Sequence, residues 1–391
     1  MTDGFPAGCR FDLGGPGQIL FGSGRISEAV PLCCELGSNI LIVTGSSTRY
    51  AKSIEEALRT QGANTAVFSS SSEPTLQDVE GGLAAAKSVH ATVVLAIGGG
   101  AAIDLGKAVA AMLPQPGALL DYLEVIGSGR PLHAPSAPFI AIPTTAGTGA
   151  EATKNAVLTS VAHRVKVSLR HPTMFPKIAI IDPALMLSLP RDITASSGVD
   201  ALTQLMEAYV STKAQPMTDI LCAAAIPIAA KALPDACANG ADIKSREEMA
   251  FAALNSGIAL ANAGLGAVHG FAAPIGGLYQ AAHGAVCAAL LAPVWSMNLR
   301  IITRANASAQ LQRFTEVARW LTADSKATAY DAIPWLHHLS KSLNIRSLAA
   351  LGVTQSDLPG IADAAAKASS MKGNPVILSE AQRLQILEEA L

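Results

Sequence analysis

The sequence predicts an α/β amino-terminal half built on a parallel, Rossmann-like sheet, residues 1–184, followed by an all-α half, residues 185–391. Three observations predict it. Short apolar runs alternate with segments of helical period up to about residue 182. Those runs are apolar at successive positions, the pattern of parallel strands covered on both faces. Beyond them no strand run recurs, and Ala/Leu-rich segments with helical spacing continue to the end.

Residues 39–44 (Asn-Ile-Leu-Ile-Val-Thr) form the first strand run and stop at Gly45. Residues 53–61 have helical periodicity, 65–68 read as a second strand, and 76–89 as a helix with polar and apolar faces. Residues 92–97 (Thr-Val-Val-Leu-Ala-Ile) lead into Gly98-Gly99-Gly100, and 101–112 read as the following helix. Further strand runs lie at 139–142 and 178–181. Leu189-Pro190 precedes the helical series, and the two halves are expected to meet along a cleft.

Composition narrows the function. Half of the 391 residues are hydrophobic and only 4% aromatic, so the core must be aliphatic and alanine-rich. Charged residues make up 15%, against roughly 25% in an average soluble protein. That points to extensive burial, including subunit contacts, hence a homo-oligomer of two or more chains. A net charge of −2 without a basic run argues against nucleic acid as a partner. Cys9, Cys33, Cys34, Cys222, Cys237 and Cys287 form no C-x-x-C pair and suggest no disulfide framework, consistent with a reducing cytoplasm. The amino terminus has no signal-peptide pattern.

Residues 249–299 contain no Asp, Glu, Lys or Arg, yet include His269 and His283. Asn255, Asn262, Pro274 and frequent glycines interrupt the stretch, which favours buried helices over a membrane hairpin. A buried imidazole needs a partner to offset its desolvation, and a metal ion supplies one. On one continuous helix the two histidines would stand roughly 21 Å apart. A break at Ala-Ala-Pro-Ile-Gly-Gly, 272–277, would let the chain fold back and bring them together.

Two loops suit a phosphate-bearing ligand. Gly98-Gly99-Gly100 lies between a strand and a helix, where backbone N–H groups and the helix N-terminus receive an anion. It is not the G-x-G-x-x-G fingerprint, since position 103 is Ile. Residues 143–151 (Pro-Thr-Thr-Ala-Gly-Thr-Gly-Ala-Glu) follow the next strand run, at the edge where open α/β sheets bind ligands. Either loop alone is also an ordinary turn; together they favour a dinucleotide.

These motifs resemble a known family. Gly98 to Lys107 is similar to the G-G-G-S-x-x-D-x-x-K loop of the iron-containing (group III) alcohol dehydrogenases, and residues 143–151 to their P-T-T-x-G-T-G-(S/A)-E loop. Gly198-Val199-Asp200-Ala201-Leu202-Thr203 resembles their G-x-D-A-L-T helix, and His269-Gly270 and His283-Gly284 their later metal-ligand histidines. The resemblance implies a dehydroquinate synthase-like architecture: a dinucleotide-binding domain facing a helical domain that holds Fe²⁺ or Zn²⁺. It places the NAD or NADP site on Gly98, Gly99, Gly100, Ala101, Asp104, Thr144, Thr145, Thr148, Lys166 and Leu187. It makes Asp200, His269 and His283 catalytic, and Asp200, Gln204, His269 and His283 the metal set.

The departures matter. The family's second ligand is histidine where this chain has Gln204. Three roles are open to Gln204: a ligand through its carbonyl, a hydrogen bond to a metal-held water in a three-ligand site, or the relic of a lost metal. Ala273 stands where many members have a histidine that could relay a proton, and Tyr279 is a candidate substitute. Gly45, Ser46 and Ser47, with Arg49 nearby, replace the aspartate that would repel a 2′-phosphate, so NADP is admitted alongside NAD. His90, His133, His163, His171, His337 and His338 lie outside the metal motifs.

The expected activity is metal-dependent, NAD(P)-linked hydride transfer between a nicotinamide and a small alcohol–aldehyde pair. A maleylacetate reductase-type enzyme is the alternative within the superfamily. A nucleotide-binding protein with a decayed metal site is the alternative outside catalysis.

Overall fold

The strands of the first half divide their side chains between two helical layers. In β2 (Asn39–Thr44), Ile40 and Ile42 join Val93, Leu95 and Ile97 of β4 (Val93–Gly98) in one cluster, with Ile54 and Leu58 of α2 (Arg49–Thr60). Leu41, Val43, Val94 and Ala96 point the other way, onto Val79 of α3 (Leu76–Ser88) and Ile103 and Val109 of α4 (Gly100–Met112). Burying a valine, leucine or isoleucine contributes roughly 1.5–3 kcal/mol. Val93, Val94, Leu95 and Ile97 together therefore rival the ~5–15 kcal/mol net stability of a typical protein.

The computed structural model describes residues 10–163, 165–279 and 281–391; Cys9 and the segment read for a signal peptide lie outside them. β1 (Gln18–Phe21), β3 (Asn64–Ser69), β5 (Phe139–Pro143) and β8 (Ile178–Ile181) complete a six-stranded sheet of order β1-β8-β5-β4-β2-β3, parallel throughout. α1 (Ala29–Leu36) and the short α5 (Leu119–Tyr122) complete its helices. β2 leads outward to β3, whereas β4 leads the opposite way to β5. The order thus reverses between β2 and β4, and the crevice at their carboxyl ends lies between Gly45 and Gly98.

Two features were not expected. β1 is a short edge strand. β6 (Asn155–Ser160) and β7 (Val165–Arg170) form an antiparallel pair outside the main sheet. Their burial alternates because only one face packs on the core, so neither shows a continuous apolar run.

The second half is helical: α6 (Arg191–Val210), α7 (Pro216–Ala238), α8 (Ile243–Ala263), α9 (Ala267–Leu278), α10 (His283–Arg304), α11 (Ser308–Thr322), α12 (Ala332–Ser342), α13 (Leu358–Lys367) and α14 (Glu380–Ala390). Every residue of α6 from Gly198 to Val210 is buried, which makes it the central helix. α7 and α10 are each long and apolar enough to cross a membrane, with mean hydropathy 1.6. In this fold 72% of the most apolar window of α10 is buried against its neighbours.

The expected break at 272–277 is absent. α9 continues through Pro274 and both glycines, and the chain turns only after Leu278. Packing explains this: Ala272 and Ile275 are fully buried, and α9 lies against α10 and α13. A sharper bend comes earlier, where α8 and α9 meet at 97° across Gly264-Leu265-Gly266. Gly264 adopts a φ of +67° there, a left-handed value that suits glycine.

The halves meet through close backbone contacts. A Cβ on Gly257 of α8 would stand 2.3 Å from the carbonyl oxygen of Gly149, in the loop after β5. A Cβ on Gly147 would stand 2.6 Å from Ser197 Cβ on α6. Asn262 of α8 binds both the N–H and the carbonyl of Gly14, at 2.7 and 2.8 Å.

Candidate active site

Three helices converge on one group of side chains. Asp200 lies in the buried run of α6, His269 in the first turn of α9, and His283 at the first position of α10. The turn after Leu278 does what the predicted break was meant to do: the imidazole centroids are 5.4 Å apart. Glycine permits the approach of α10, because a Cβ on Gly284 would stand 2.5 Å from Ser196 O and 3.4 Å from Asp200 Cβ.

Asp200 Oδ1 is 3.4 Å from His269 Nε2 and 3.9 Å from His283 Nε2. It is buried and has no hydrogen-bond partner among the described residues. An orphaned carboxylate oxygen costs folding free energy unless something positive completes it. Cys287, one turn beyond His283 on α10, places Sγ 3.6 Å from His283 Nε2 and 3.8 Å from His269 Nε2. One donor atom each from Asp200, His269, His283 and Cys287 lies within 4.8 Å of all the others. These donors suit a divalent transition metal.

Gln204 is elsewhere engaged. Its carbonyl accepts the Ser256 hydroxyl at 2.8 Å, and its amide nitrogen donates to Asp200 Oδ2 at 3.3 Å. The carboxylate fixes this orientation, since a flipped amide would set oxygen against oxygen. Gln204 thus braces Asp200 through its amide nitrogen while its oxygen is turned to Ser256.

Glu207, one turn beyond Gln204, is a site residue the sequence reading missed. Its Oε2 takes the Nδ1 proton of His269 at 2.6 Å, and its Oε1 accepts the Val268 N–H at 2.7 Å. This orients the ring so that Nε2 faces Asp200 and Cys287, and it favours the Nδ1–H tautomer that a metal ligand requires. Cys287 was missed as well, although its spacing of four from His283 puts both on one helix face.

The electrostatics suit a cation. The Cys287 sulfur, with Asp200, lifts His283 to about 8 against the desolvation that opposes it. Burial would lower His269, but Cys287, Asp200 and Glu207 hold it well above the ordinary histidine range. Burial works against ionising Asp200, yet His283 and His269 keep it below the usual carboxylate range. The same negative field favours a bound divalent ion.

The phosphate loops lie together. Thr144 N donates to Gly98 O at 2.9 Å. A Cβ on Gly98 would meet Ala102 Cβ at 2.7 Å, and one on Gly100 would meet Thr148 Oγ1 at 2.5 Å. A Cβ on Gly99 would stand 3.4 Å from Thr145 Cγ2. No side chain caps the first turn of α4, so the N–H groups of Gly100 and Ala101 are free for an anion.

The remaining expected cofactor residues make contacts of their own. Asp104 accepts from Val157 N at 3.0 Å and pairs with Lys107 at 3.5 Å, which ties α4 to β6. Lys166 is ion-paired with Glu73 and lies against Gly276 of α9. Leu187 is half-buried at the end of the turn after β8. Burial, together with the Asp357 carboxylate, pushes the Tyr279 hydroxyl up to about 12.

A nucleotide-type crevice on the parallel sheet and a buried group of potential metal donors on the helices are the marks of a nucleotide-linked enzyme. Residues 16–183 match the family described as iron-containing alcohol dehydrogenase, and residues 194–391 match its carboxyl-terminal family. The chain belongs to the iron-containing alcohol dehydrogenase family, whose members act on CH–OH groups. It is 32% identical to NAD-dependent methanol dehydrogenase of Bacillus methanolicus, covering 96% of this chain and 98% of that one. It is 34% identical to 1,3-propanediol dehydrogenase of Citrobacter freundii, covering 97% and 98%. The solved structure of a 1,3-propanediol oxidoreductase superposes with a TM-score of 0.90 at 32% identity, covering 98% of this chain and all of that one.

Proposed function

We propose that this protein is a metal-dependent, NAD(P)-linked alcohol dehydrogenase and aldehyde reductase acting on small, uncharged substrates. The observation that carries the reading is the orphaned Asp200 Oδ1 facing two imidazole nitrogens across a buried cluster. Among the described residues, no lysine or arginine pairs with a cluster side chain, which favours a neutral substrate over the dicarboxylate of a maleylacetate reductase. The intact donor cluster also speaks against the decayed-site alternative.

A divalent metal held by Asp200, His269 and His283 would polarise the substrate oxygen and lower the pKa of an alcohol. A bound nicotinamide would supply the hydride chemistry, with the protein supplying alignment. Asp200 would offset part of the metal charge, with Gln204 and Ser256 fixing its carboxylate. Glu207 holds His269 in its ligating tautomer. Gly98, Gly99, Gly100, Ala101, Thr144, Thr145 and Thr148 would hold the pyrophosphate. Gly45, half-buried beside Gly98, leaves room for a 2′-phosphate, so both NAD and NADP are accepted. The five described cysteines are free thiols, in keeping with a reducing cytoplasm. The low charge of the chain supports a homo-oligomer.

The test is a panel of short primary alcohols, 1,3-propanediol and the matching aldehydes, assayed with each cofactor after metal loading and after chelation. The reading expects turnover that chelation abolishes and metal restores. Turnover of no alcohol or aldehyde by metal-loaded protein that binds cofactor would overturn it.

A further inference from the structure

We propose that Cys287 is a thiolate ligand of the metal, so that the centre is an Asp200–His269–His283–Cys287 set suited to zinc rather than ferrous iron. The inference rests on the metal reading above and deepens it. The sequence reading expected the fourth donor from α6 at Gln204; the structure brings a sulfur from α10 instead.

Distances support the assignment. A tetrahedral ion with bonds of about 2.0–2.1 Å to nitrogen or oxygen and about 2.3 Å to sulfur holds its donors roughly 3.3–3.6 Å apart. Here Sγ stands 3.6 and 3.8 Å from the two Nε2 atoms, and Asp200 Oδ1 stands 3.4 and 3.9 Å from the same atoms. The unpartnered Asp200 Oδ1, on a side chain 1% exposed, is an independent sign that a cation belongs here. Cys287 is fully buried and its described hydrogen-bond partners are these two imidazoles.

Two consequences follow. Binding of M²⁺ displaces the thiol proton to solvent as the metal–sulfur bond forms, and no oxidant or reductant is needed. A thiolate also shifts preference toward Zn²⁺, which already binds N/O/S sites more tightly than Fe²⁺. The His283 side chain is 33% exposed while those of Asp200 and His269 are 1% and 6% exposed. The centre therefore opens on the His283 side, where a substrate oxygen could enter as a fifth ligand.

The experiment is titration of metal-free, full-length protein with Co²⁺, followed by X-ray absorption of the Zn²⁺ form. The proposal expects one Co²⁺ per chain with a near-ultraviolet sulfur-to-cobalt charge-transfer band, and one sulfur neighbour at about 2.3 Å from zinc. Cys287→Ser should abolish the band. Gln204→Ala should keep it while weakening metal binding roughly 10–100-fold, as loss of an outer-shell partner does. From equimolar Fe²⁺ and Zn²⁺ the wild type should retain zinc. The wild-type spectra decide the matter even if a variant fails to fold. Stoichiometric Co²⁺ binding without the band, with only nitrogen and oxygen around zinc, overturns the sulfur assignment and leaves the metal reading standing. Failure to bind either ion overturns both.

Discussion

Replacing Glu207 by glutamine exchanges one oxygen for an amide nitrogen at a position 4% exposed. The carboxylate now accepts two N–H groups, Val268 N at 2.7 Å and His269 Nδ1 at 2.6 Å. Glutamine has a single acceptor oxygen, so one of its own N–H groups must face one of those donors. If it faces Val268, a buried backbone N–H loses its partner, at about 1–3 kcal/mol. If it faces His269, the imidazole must move its proton to Nε2, and the lone pair that would hold the metal is gone. Removing such an orienting partner lowers metal affinity about 10–100-fold, or roughly 1.4–2.8 kcal/mol. The two routes cost similar amounts, so Glu207→Gln should show both a stability loss and an affinity loss. Zn²⁺ competition against a chromophoric chelator reads the second, and urea unfolding of the metal-free protein reads the first. Affinity within a factor of two of wild type, with an unchanged unfolding midpoint, would refute the assigned role.

Lys107→Met should cost about 3–5 kcal/mol in urea unfolding, because it strips a buried charge pair of one partner. It also removes hydrogen bonds to Ala150 O, Thr153 Oγ1 and Asn155 O, at 2.7, 2.8 and 2.8 Å; a loss below about 1 kcal/mol would contradict this. Burial pushes Glu151 up to about 7 from 4.5, partly opposed by its own backbone N–H and by Lys107. The folded protein therefore holds a proton that the unfolded chain releases. The Glu151 contribution to stability then declines as pH rises from about 4.5 to about 7, by at most about 1.4 kcal/mol per unit. Glu151→Gln should flatten that decline when unfolding free energies at pH 5 and pH 8 are compared, and an identical decline in the variant would count against it. Gly257→Ala places a Cβ 2.3 Å from Gly149 O, so α8 or the loop after β5 must yield at about 1–3 kcal/mol. Dinucleotide affinity should fall with the melting temperature, and unchanged affinity would show that this loop does not serve the cofactor.

How much the sequence disclosed depended on the kind of signal each element carried. β2 and β4 were legible because both faces of the strand are buried, so every position is apolar and the run ends in glycine. β6 and β7 were not, because one face is solvated and their alternation merges with ordinary loop sequence. Asp200, His269 and His283 were found through motifs, yet the turn that brings the histidines together lies after Leu278 rather than at Pro274. A proline and two glycines are weak breakers once Ala272 and Ile275 are packed in the core. Cys287 and Glu207 were invisible to motif reading. Each lies on the site's face of a long buried helix, four residues from His283 and seven from Asp200, and only placing the helix starts makes that spacing informative.

Transfer of deuterium from an α-deuterated short primary alcohol to the oxidised cofactor, followed by mass spectrometry of the reduced nicotinamide, tests the central claim most directly. The metal-loaded wild type should deliver one deuterium per cofactor reduced, and His269→Ala should deliver none at equal cofactor occupancy. Reduced cofactor without deuterium, or equal labelling by His269→Ala, would contradict hydride transfer at this cluster.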